Sequence, residues 1–375
     1  MGILLKTIFA VICSCTLLLS GPVVAQRAGK GAAPSDEWKA LLQEATTLFF
    51  QGKFDSGVAV AKKALELAEK EHGPNHPTVA ASLNRLAELH RLQGQYAAAE
   101  PLYKRSLAIR EGLSGPTRPE VAQSLNNLAQ LYVMQGQYAV AEPLFNRALA
   151  IRQSAYGDSH PDVATTLNGL AELYVGQGKP AEAEVLYKRS LAIWEKFLGQ
   201  QNAQPPGLVN QIASSLNGLA AIYGGQGQYE AAESMYKRAI TIIDDSRDRD
   251  HPLMSRALAG LASLHVRQGQ YASAEVLYKR AVAILENSLD RDHPRMAAAL
   301  HGLADVHSAR GENAAAEALL KRALDIRVTV LGEKHPLVAA TLEKLAAVYA
   351  NQNKSAEAKQ SADRAAAIRL ATQRK

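Results

Sequence analysis

The sequence predicts an all-α solenoid of eight helical hairpins, and two observations carry that prediction. The stretch from His160 to Gly199 reads as two helical stripes hinged on a glycine, and the rest of the chain copies it. The first leucine of its L-N-x-L-A core recurs at Leu83, Leu125, Leu167, Leu216, Leu258, Leu300 and Leu342, at intervals of 42, 42, 49, 42, 42 and 42 residues. A fixed period of this size marks a stack of identical supersecondary units, none of which can bury its apolar face alone. A weaker copy anchored on Leu41 brings the count to eight, and the stack fills residues 36–375.

Within one unit the two halves justify themselves. Val163, Leu167, Leu170, Ala171 and Tyr174 recur at three- and four-residue steps, the stripe of an amphipathic helix. Gly178 ends that helix, as do Gly52, Gly94, Gly136, Gly227, Gly269 and Gly311 in other copies, while the last copy uses Asn353. A residue just past a helix end often adopts a left-handed conformation, which glycine reaches without steric cost and asparagine tolerates next best. The second half carries Ala183, Leu186, Tyr187, Ser190, Leu191 and Ile193 on one stripe. Pro77, Pro119, Pro161, Pro252, Pro294 and Pro336 open the first helices, where a missing N–H is no loss.

Small residues show how the halves meet. Ala87, Ala129, Ala171, Ala220, Ala262, Ala304 and Ala346 hold one register position in the first helix, and Ala99, Ala141, Ala183, Ala232, Ala274, Ala316 and Ala358 hold one in the second. Tyr96, Tyr138, Tyr229 and Tyr271 open second helices. This small–large alternation resembles the tetratricopeptide repeat, though each unit is longer than that repeat's usual 34 residues. The run AEPLYKRSLAIR at Ala99–Arg110, followed at a distance by His-Pro, is similar to the kinesin light chain type. The resemblance covers nearly all of 36–375 and implies a right-handed superhelix of tetratricopeptide-type hairpins, used to bind proteins or extended peptides.

Residues 1–25 are a separate object. Lys6 supplies a positive n-region, Thr7 to Leu19 an apolar core, and Val23-Val24-Ala25 small residues for cleavage, the pattern of a secretory signal peptide. The core is too short for a membrane anchor. Cleavage would start the mature chain at Gln26, with no integral membrane span, and place it outside the cytoplasm: periplasmic or secreted. It would also remove Cys13 and Cys15, the two cysteines, so that neither a disulfide nor a thiolate metal site remains. Residues 26–35, rich in Gly, Ala and Pro, read as a flexible linker. The formal charge of +6 falls to +5 without Lys6. Interleaved acids and bases at that balance do not mark nucleic-acid binding. The 49-residue interval places a Gln/Pro/Gly-rich insertion at 199–207, read as a surface loop. The polar last helix, with Lys359, Asp363, Arg364 and Arg369, suits a C-terminal cap.

Catalytic and metal chemistry finds little support. His76, His160, His251, His293 and His335 each precede the repeat's proline, and His90, His265 and His307 stand where sister copies hold tyrosine. His301 and Asp305 share one helix face as half of a metal site, but no third ligand is marked. Glu100, Glu142, Glu184, Glu233, Glu275 and Glu317 repeat in register, as helix-terminus and salt-bridge residues do. No phosphate loop or nucleophile elbow occurs. The expectation is a non-enzymatic protein without a cofactor. Lys-Arg pairs such as Lys104-Arg105 and Lys188-Arg189 form a basic ladder on the second helices, read as a solvated face, with contact to anionic headgroups or polymer as its rival.

The variable positions are the informative ones. After the anchor leucine stand Asn84, Asn126, Asn168 and Asn217, then Ala259, His301 and Glu343. In kinesin light chain-like repeats the corresponding asparagines contact the backbone of an extended peptide, so the resemblance carries that role to these four. An amide both donates and accepts, as a peptide unit does. The same chemistry would equally tie neighbouring repeats together, and both readings stand. Glu88, Arg91, Gln130, Glu172, Arg256, Arg267 and Asp305 lie on the same face. The reading is therefore a scaffold or adaptor that binds partner proteins or peptides in its groove. A homotypic assembly unit, with weak self-association, is the structural alternative, and a hydrolase or metal-binding protein the remaining one.

Overall fold

The computed structural model describes residues 34–50, 53–200, 207–245, 252–288 and 294–373. Residues 1–25, read from the sequence as a signal peptide, Gly52, His251, His293 and most of the 199–207 insertion lie outside these residues. Sixteen helices occupy the described chain, with no strand among them. They are α1 (Asp36–Phe50), α2 (Phe54–His72), α3 (Pro77–Leu92), α4 (Tyr96–Ser114), α5 (Pro119–Met134), α6 (Tyr138–Tyr156), α7 (Pro161–Gly176) and α8 (Pro180–Gly199). There follow α9 (Leu208–Gly225), α10 (Tyr229–Asp245), α11 (Pro252–Arg267), α12 (Tyr271–Ser288), α13 (Pro294–Ala309), α14 (Asn313–Leu331), α15 (Pro336–Asn351) and α16 (Ser355–Gln373). Odd numbers are first helices of hairpins and even numbers second helices. Packing groups them into two compact units that divide inside α9, between Ser215 and Leu216, with the turn Leu92–Gln95 assigned to the second.

The helix ends lie where the sequence places them. All six register prolines begin a helix. Gly94, Gly136, Gly178, Gly227, Gly269 and Gly311 have φ between 73° and 79°, and Asn353 has φ 60°. A second set, Gly73, Gly115, Gly157 and Gly332, closes the second helices at φ 79–82°. With ψ at 171°, 168° and 157° at Gly73, Gly157 and Gly332, these three occupy a region open essentially to glycine alone. Two of the histidines before the prolines, His160 and His335, are N-caps. The Nδ1 of His160 accepts the Asp162 N–H at 3.1 Å, and that of His335 accepts the Leu337 N–H at 3.2 Å, satisfying an amide the helix leaves unpaired. His160 also stacks on Tyr156 at 4.3 Å, and His76 on His72 at 4.2 Å. Burial holds both His160 and His335 below the usual histidine pKa, which keeps the accepting nitrogen unprotonated.

In the first unit the core begins with α1. Trp38 packs on Ala64, Ala68, Val79, Ala80, Leu83 and Ile109, and its indole N–H donates to Ser82 Oγ at 2.9 Å. Two second helices are stitched to their own first helix through a small residue: Ser106 and Ser190 donate to the carbonyls of Ala80 and Ala164, each at 2.8 Å. Leu83, Leu125 and Leu167 have no exposed surface, and each contributes roughly 2 kcal/mol by burial. In the second unit Val338, Ala339 and Leu342 of α15 pack on Ala365 and Ile368 of α16. The last helix therefore buries one apolar edge and leaves its charges outward, including a two-pronged bond from Arg369 to Glu343 at 2.8 Å.

Successive hairpins are joined by a buried arginine that the periodicity alone did not single out. Arg152, 1% exposed, donates to the Asp162 carbonyl at 2.9 Å and to Thr166 Oγ1 at 2.7 Å. Arg110 does the same to Glu120 and Ser124, at 2.8 and 3.1 Å. Arg327 repeats it on Leu337 and Thr341. Where the arginine is replaced by Ile243 or Leu285, the hydroxyl position holds Ala257 or Ala299, and all four are buried. In these five copies the two residues change together, because a buried guanidinium needs oxygen partners and a buried aliphatic chain needs none. Opposite Ala68 and Trp194 the hydroxyl stays, and Ser82 and Ser215 donate to the Thr78 and Gln211 carbonyls one turn back. Arg152→Leu is expected to destabilise the chain by about 1–3 kcal/mol, and Thr166→Ala added to it to restore most of the loss. Denaturant titration of the two single variants and the double variant checks this; simple additivity would contradict the pairing.

Candidate functional site

The face to consider is built from first helices of neighbouring hairpins, which touch directly in each unit, α5 on α7 and α11 on α13. Its outward row lies one residue beyond the asparagines. In the first unit it holds Arg85, Glu88, Gln123, Asn127, Gln130 and Glu172, all but Asn127 half-buried. Asn127 is the residue that periodicity missed, because four sister copies hold glycine there. Its Nδ2 donates to Asn84 Oδ1 at 2.9 Å and to Glu88 Oε1 at 3.1 Å, and its Oδ1 accepts from Gln123 at 3.1 Å. Gln123 in turn accepts from Arg152 at 2.8 Å, and Arg85 pairs with Glu88 at 2.7 Å. A continuous polar chain thus crosses from one first helix to the next. Arg91 reaches Met134 Sδ at 3.6 Å along the same row.

The four asparagines are buried, at 9% exposure for Asn84, 1% for Asn126, 5% for Asn168 and 1% for Asn217. Asn84 is held by Asn127 of the next first helix. Asn168 Oδ1 accepts from Ser215 at 2.8 Å, and its Nδ2 donates to the Gln211 carbonyl at 3.3 Å. Both therefore tie adjacent repeats. Asn126 Oδ1 and both amide atoms of Asn217 are buried without a protein partner.

In the second unit Arg256, Ser263, Arg267 and Lys344 are exposed on the corresponding row. Arg267 donates to the Gly224 carbonyl at 3.2 Å, and Lys344 pairs with Asp305 at 2.8 Å. Gly260 and Gly302 on this row serve close packing. A Cβ at either would fall 2.4 Å from the ring of Tyr236 or Tyr278 of the preceding second helix. Gly169 in the first unit makes the same room for Phe145. Burial pushes the Tyr278 phenol up to about 12. His301, the other half of the suspected metal site, meets the Arg327 guanidinium at 3.2 Å rather than an open position. Among the described residues no group of three or more His, Cys, Asp or Glu is placed to hold a metal ion.

The basic ladder is answered residue by residue. Lys104, Lys188, Lys237, Lys279 and Lys321 pair with Glu100, Glu184, Glu233, Glu275 and Glu317 one turn earlier, at 2.6–2.7 Å. Arg105, Arg147, Arg280 and Arg322 reach back to Glu69, Glu111, Asp244 and Glu286 on the preceding second helix. Exposed pairs of this kind add little stability, but they balance the ladder's charge. The register glutamates also reach across: Glu100 accepts from Tyr132 at 3.1 Å and Glu142 from Tyr174 at 3.3 Å. Hydrogen bonds from Lys321 and Lys354 hold the Glu317 carboxyl down at about 2.

A face of helices with a repeated interior and a varying outward row defines the class of helical-repeat solenoids. The tetratricopeptide repeat model matches residues 39–112, 79–154, 120–196, 211–287, 262–328 and 295–371, and the chain belongs to that family. Its fold is similar to a Rap protein solved in complex with competence and sporulation factor (14% identity, 90% of this chain and 98% of that one, TM-score 0.59). It is also similar to the apo form of the quorum sensor NprR from B. thuringiensis (14% identity, 90% and 89%, TM-score 0.56). The repeats of a candidate kinesin light chain from Podosopora anserina match at 24% identity over 69% of this chain and 99% of that one, with a TM-score of 0.30. No curated protein matches. Among the described residues no helix is long and apolar enough to cross a membrane.

The two kinds of first-helix residue separate by their effect on stability. Asn168→Ala removes the buried bonds to Ser215 and the Gln211 carbonyl and is expected to cost about 1–2 kcal/mol. Gln130→Ala, on the outward row, is expected to stay within about 0.5 kcal/mol of the parent. Equal losses in thermal melts would contradict the division drawn here.

Proposed function

We propose that this protein is a non-enzymatic scaffold that binds a partner protein or extended peptide along its first-helix face, and that it works outside the cytoplasm. The observation that carries the reading is the contrast between positions. Ala87, Ala129, Ala171, Ala220 and Ala262 stay the same and buried, while the outward row changes from Glu88 to Gln130, Glu172, Ala221, Ser263 and Asp305. Stacking requires the first set alone; a row that changes from repeat to repeat suits a ligand that is itself a varied polymer. Glu88, Arg91, Gln130, Glu172 and Arg256 are the residues proposed to touch it. Asn84 and Asn168 fix the spacing of the helices that present them, and Asn126 and Asn217 offer amides beneath the same face. The Rap protein's complex with competence and sporulation factor supports such use of a fold of this kind. Export rests on Lys6, the apolar core and Val23-Val24-Ala25.

The test is capture from the native envelope fraction with the parent and with Gln130→Arg/Glu172→Arg. The double variant should melt like the parent and retain its partner at least about tenfold less well, a loss near 1.4 kcal/mol. A partner recovered equally by both would remove the face from consideration. Intact mass of the exported protein should begin at Gln26; retention of Met1 or a lipid on Cys15 would overturn the export reading.

A further inference from the structure

The position after the anchor leucine is asparagine in four copies, and in the seventh it is His301. Here it faces the second helix of its own hairpin. A guanidinium is a donor only, so Arg327 donates to His301 Nδ1, at 3.2 Å. The same guanidinium donates to the Leu337 carbonyl at 3.2 Å and to the Thr341 hydroxyl, both on α15 of the next hairpin. Arg327 is 7% exposed, so its partners are those the protein supplies. The charged groups facing the ring are Arg327 from α14, Asp305 one turn along α13 and Lys344 from α15. The Asp305 carboxylate is itself held by Lys344 at 2.8 Å.

We propose that His301 is an acid-sensitive latch: protonation turns Nδ1 from acceptor to donor, ejects Arg327 from the bond, and loosens the seventh hairpin from the eighth. The new imidazolium would stand against a buried guanidinium, and its anionic neighbour Asp305 is shared with Lys344. Burial first, then Arg327, hold the ring's pKa down at about 4 against a usual value of 6.5. The sign follows. Above about pH 6.5 the ring is neutral folded or unfolded, and the latch contributes fully. As pH falls from 6.5 towards 4 the unfolded segment takes up the proton while the folded one resists it, so that contribution is progressively lost. Arg327, though lowered by burial to about 10, stays charged throughout that window.

Hydrogen exchange at the backbone amides of α13–α16, corrected for intrinsic rate, tests this on the full chain between pH 7 and pH 4.5. The comparison is with His301→Asn, which restores the residue found in four sister copies and removes the titration. Between pH 6.5 and 4.5 protection of α15 and α16 in the parent should fall about tenfold more than in the variant. Carboxylates elsewhere titrate in both chains and cancel. Parallel profiles would overturn the proposal. Should the asparagine variant fail to fold, the His301 imidazole C–H resonance of the parent decides: a midpoint well below 6.5 supports the latch, and an ordinary midpoint overturns it.

Discussion

Two helices can lie in close contact only where neither carries a large side chain at the crossing. Here that condition is met at one register position on each helix of the hairpin. Ala87 with Ala99, Ala129 with Ala141, Ala171 with Ala183, Ala220 with Ala232 and Ala262 with Ala274 are all wholly buried. The remaining packing depends on that approach. It brings Ser106 and Ser190 within hydrogen-bond reach of a first-helix carbonyl. It also drives the ring of Phe145, Tyr236 or Tyr278 through to the following first helix, where only glycine leaves room. A larger residue at the alanine position would overpack every one of these contacts at once, and a close-packed interior has no slack to absorb it.

Between hairpins the chain uses three solutions to one problem. The end of a second helix must lie on the start of the next first helix, where the carbonyls of the first turn are close by. Arg110, Arg152 and Arg327 fill that space with a guanidinium and meet Ser124, Thr166 and Thr341. Ile243 and Leu285 fill it with hydrocarbon and meet alanine. Trp194 fills it with an indole. A buried guanidinium without oxygens would be costly, whereas a hydroxyl opposite an apolar residue is satisfied by the carbonyl one turn back, as Ser82 and Ser215 are by Thr78 and Gln211. The polar version gives a joint sensitive to its surroundings, and at His301 it acquires a titratable member.

Helix identity, helix ends and the alanine register were legible in the sequence because each is local and repeats seven or eight times. Gly178 and Asn353 announce their own backbone conformation, and Pro161 its own helix start. The site was less legible for a definite reason. Asn127, Arg152 and His301 acquire their roles from partners 14, 26, 29 or 43 residues away, and one helical turn separates the buried Asn126 from the half-buried Gln130. Periodicity fixes the stripe a residue belongs to; it does not fix the partner from the next copy that reaches it. The L-N-x-L signal marked the neighbourhood; at x, Gly169, Gly260 and Gly302 make room for a ring of the preceding second helix, while the buried Asn127 reaches Asn84 and Glu88.

The distribution of charge argues for the first-helix face over the second. On the second helices the lysines of the ladder are met one turn earlier by a glutamate, and Arg105, Arg147, Arg280 and Arg322 by an acid on the preceding second helix. The lysine–glutamate pair recurs in five copies, with Asn146 in the lysine's place in the third, and leaves little net field to attract a partner. The first-helix row has no such constancy: Arg85 and Glu88 pair in one copy, Gln123 and Asn127 bond in the next, and Asp305 reaches Lys344 in the seventh. A surface whose polar groups differ at each step presents a sequence of distinct contacts. Discrimination between partners requires differences of that kind, whereas a uniform ladder provides one contact many times over.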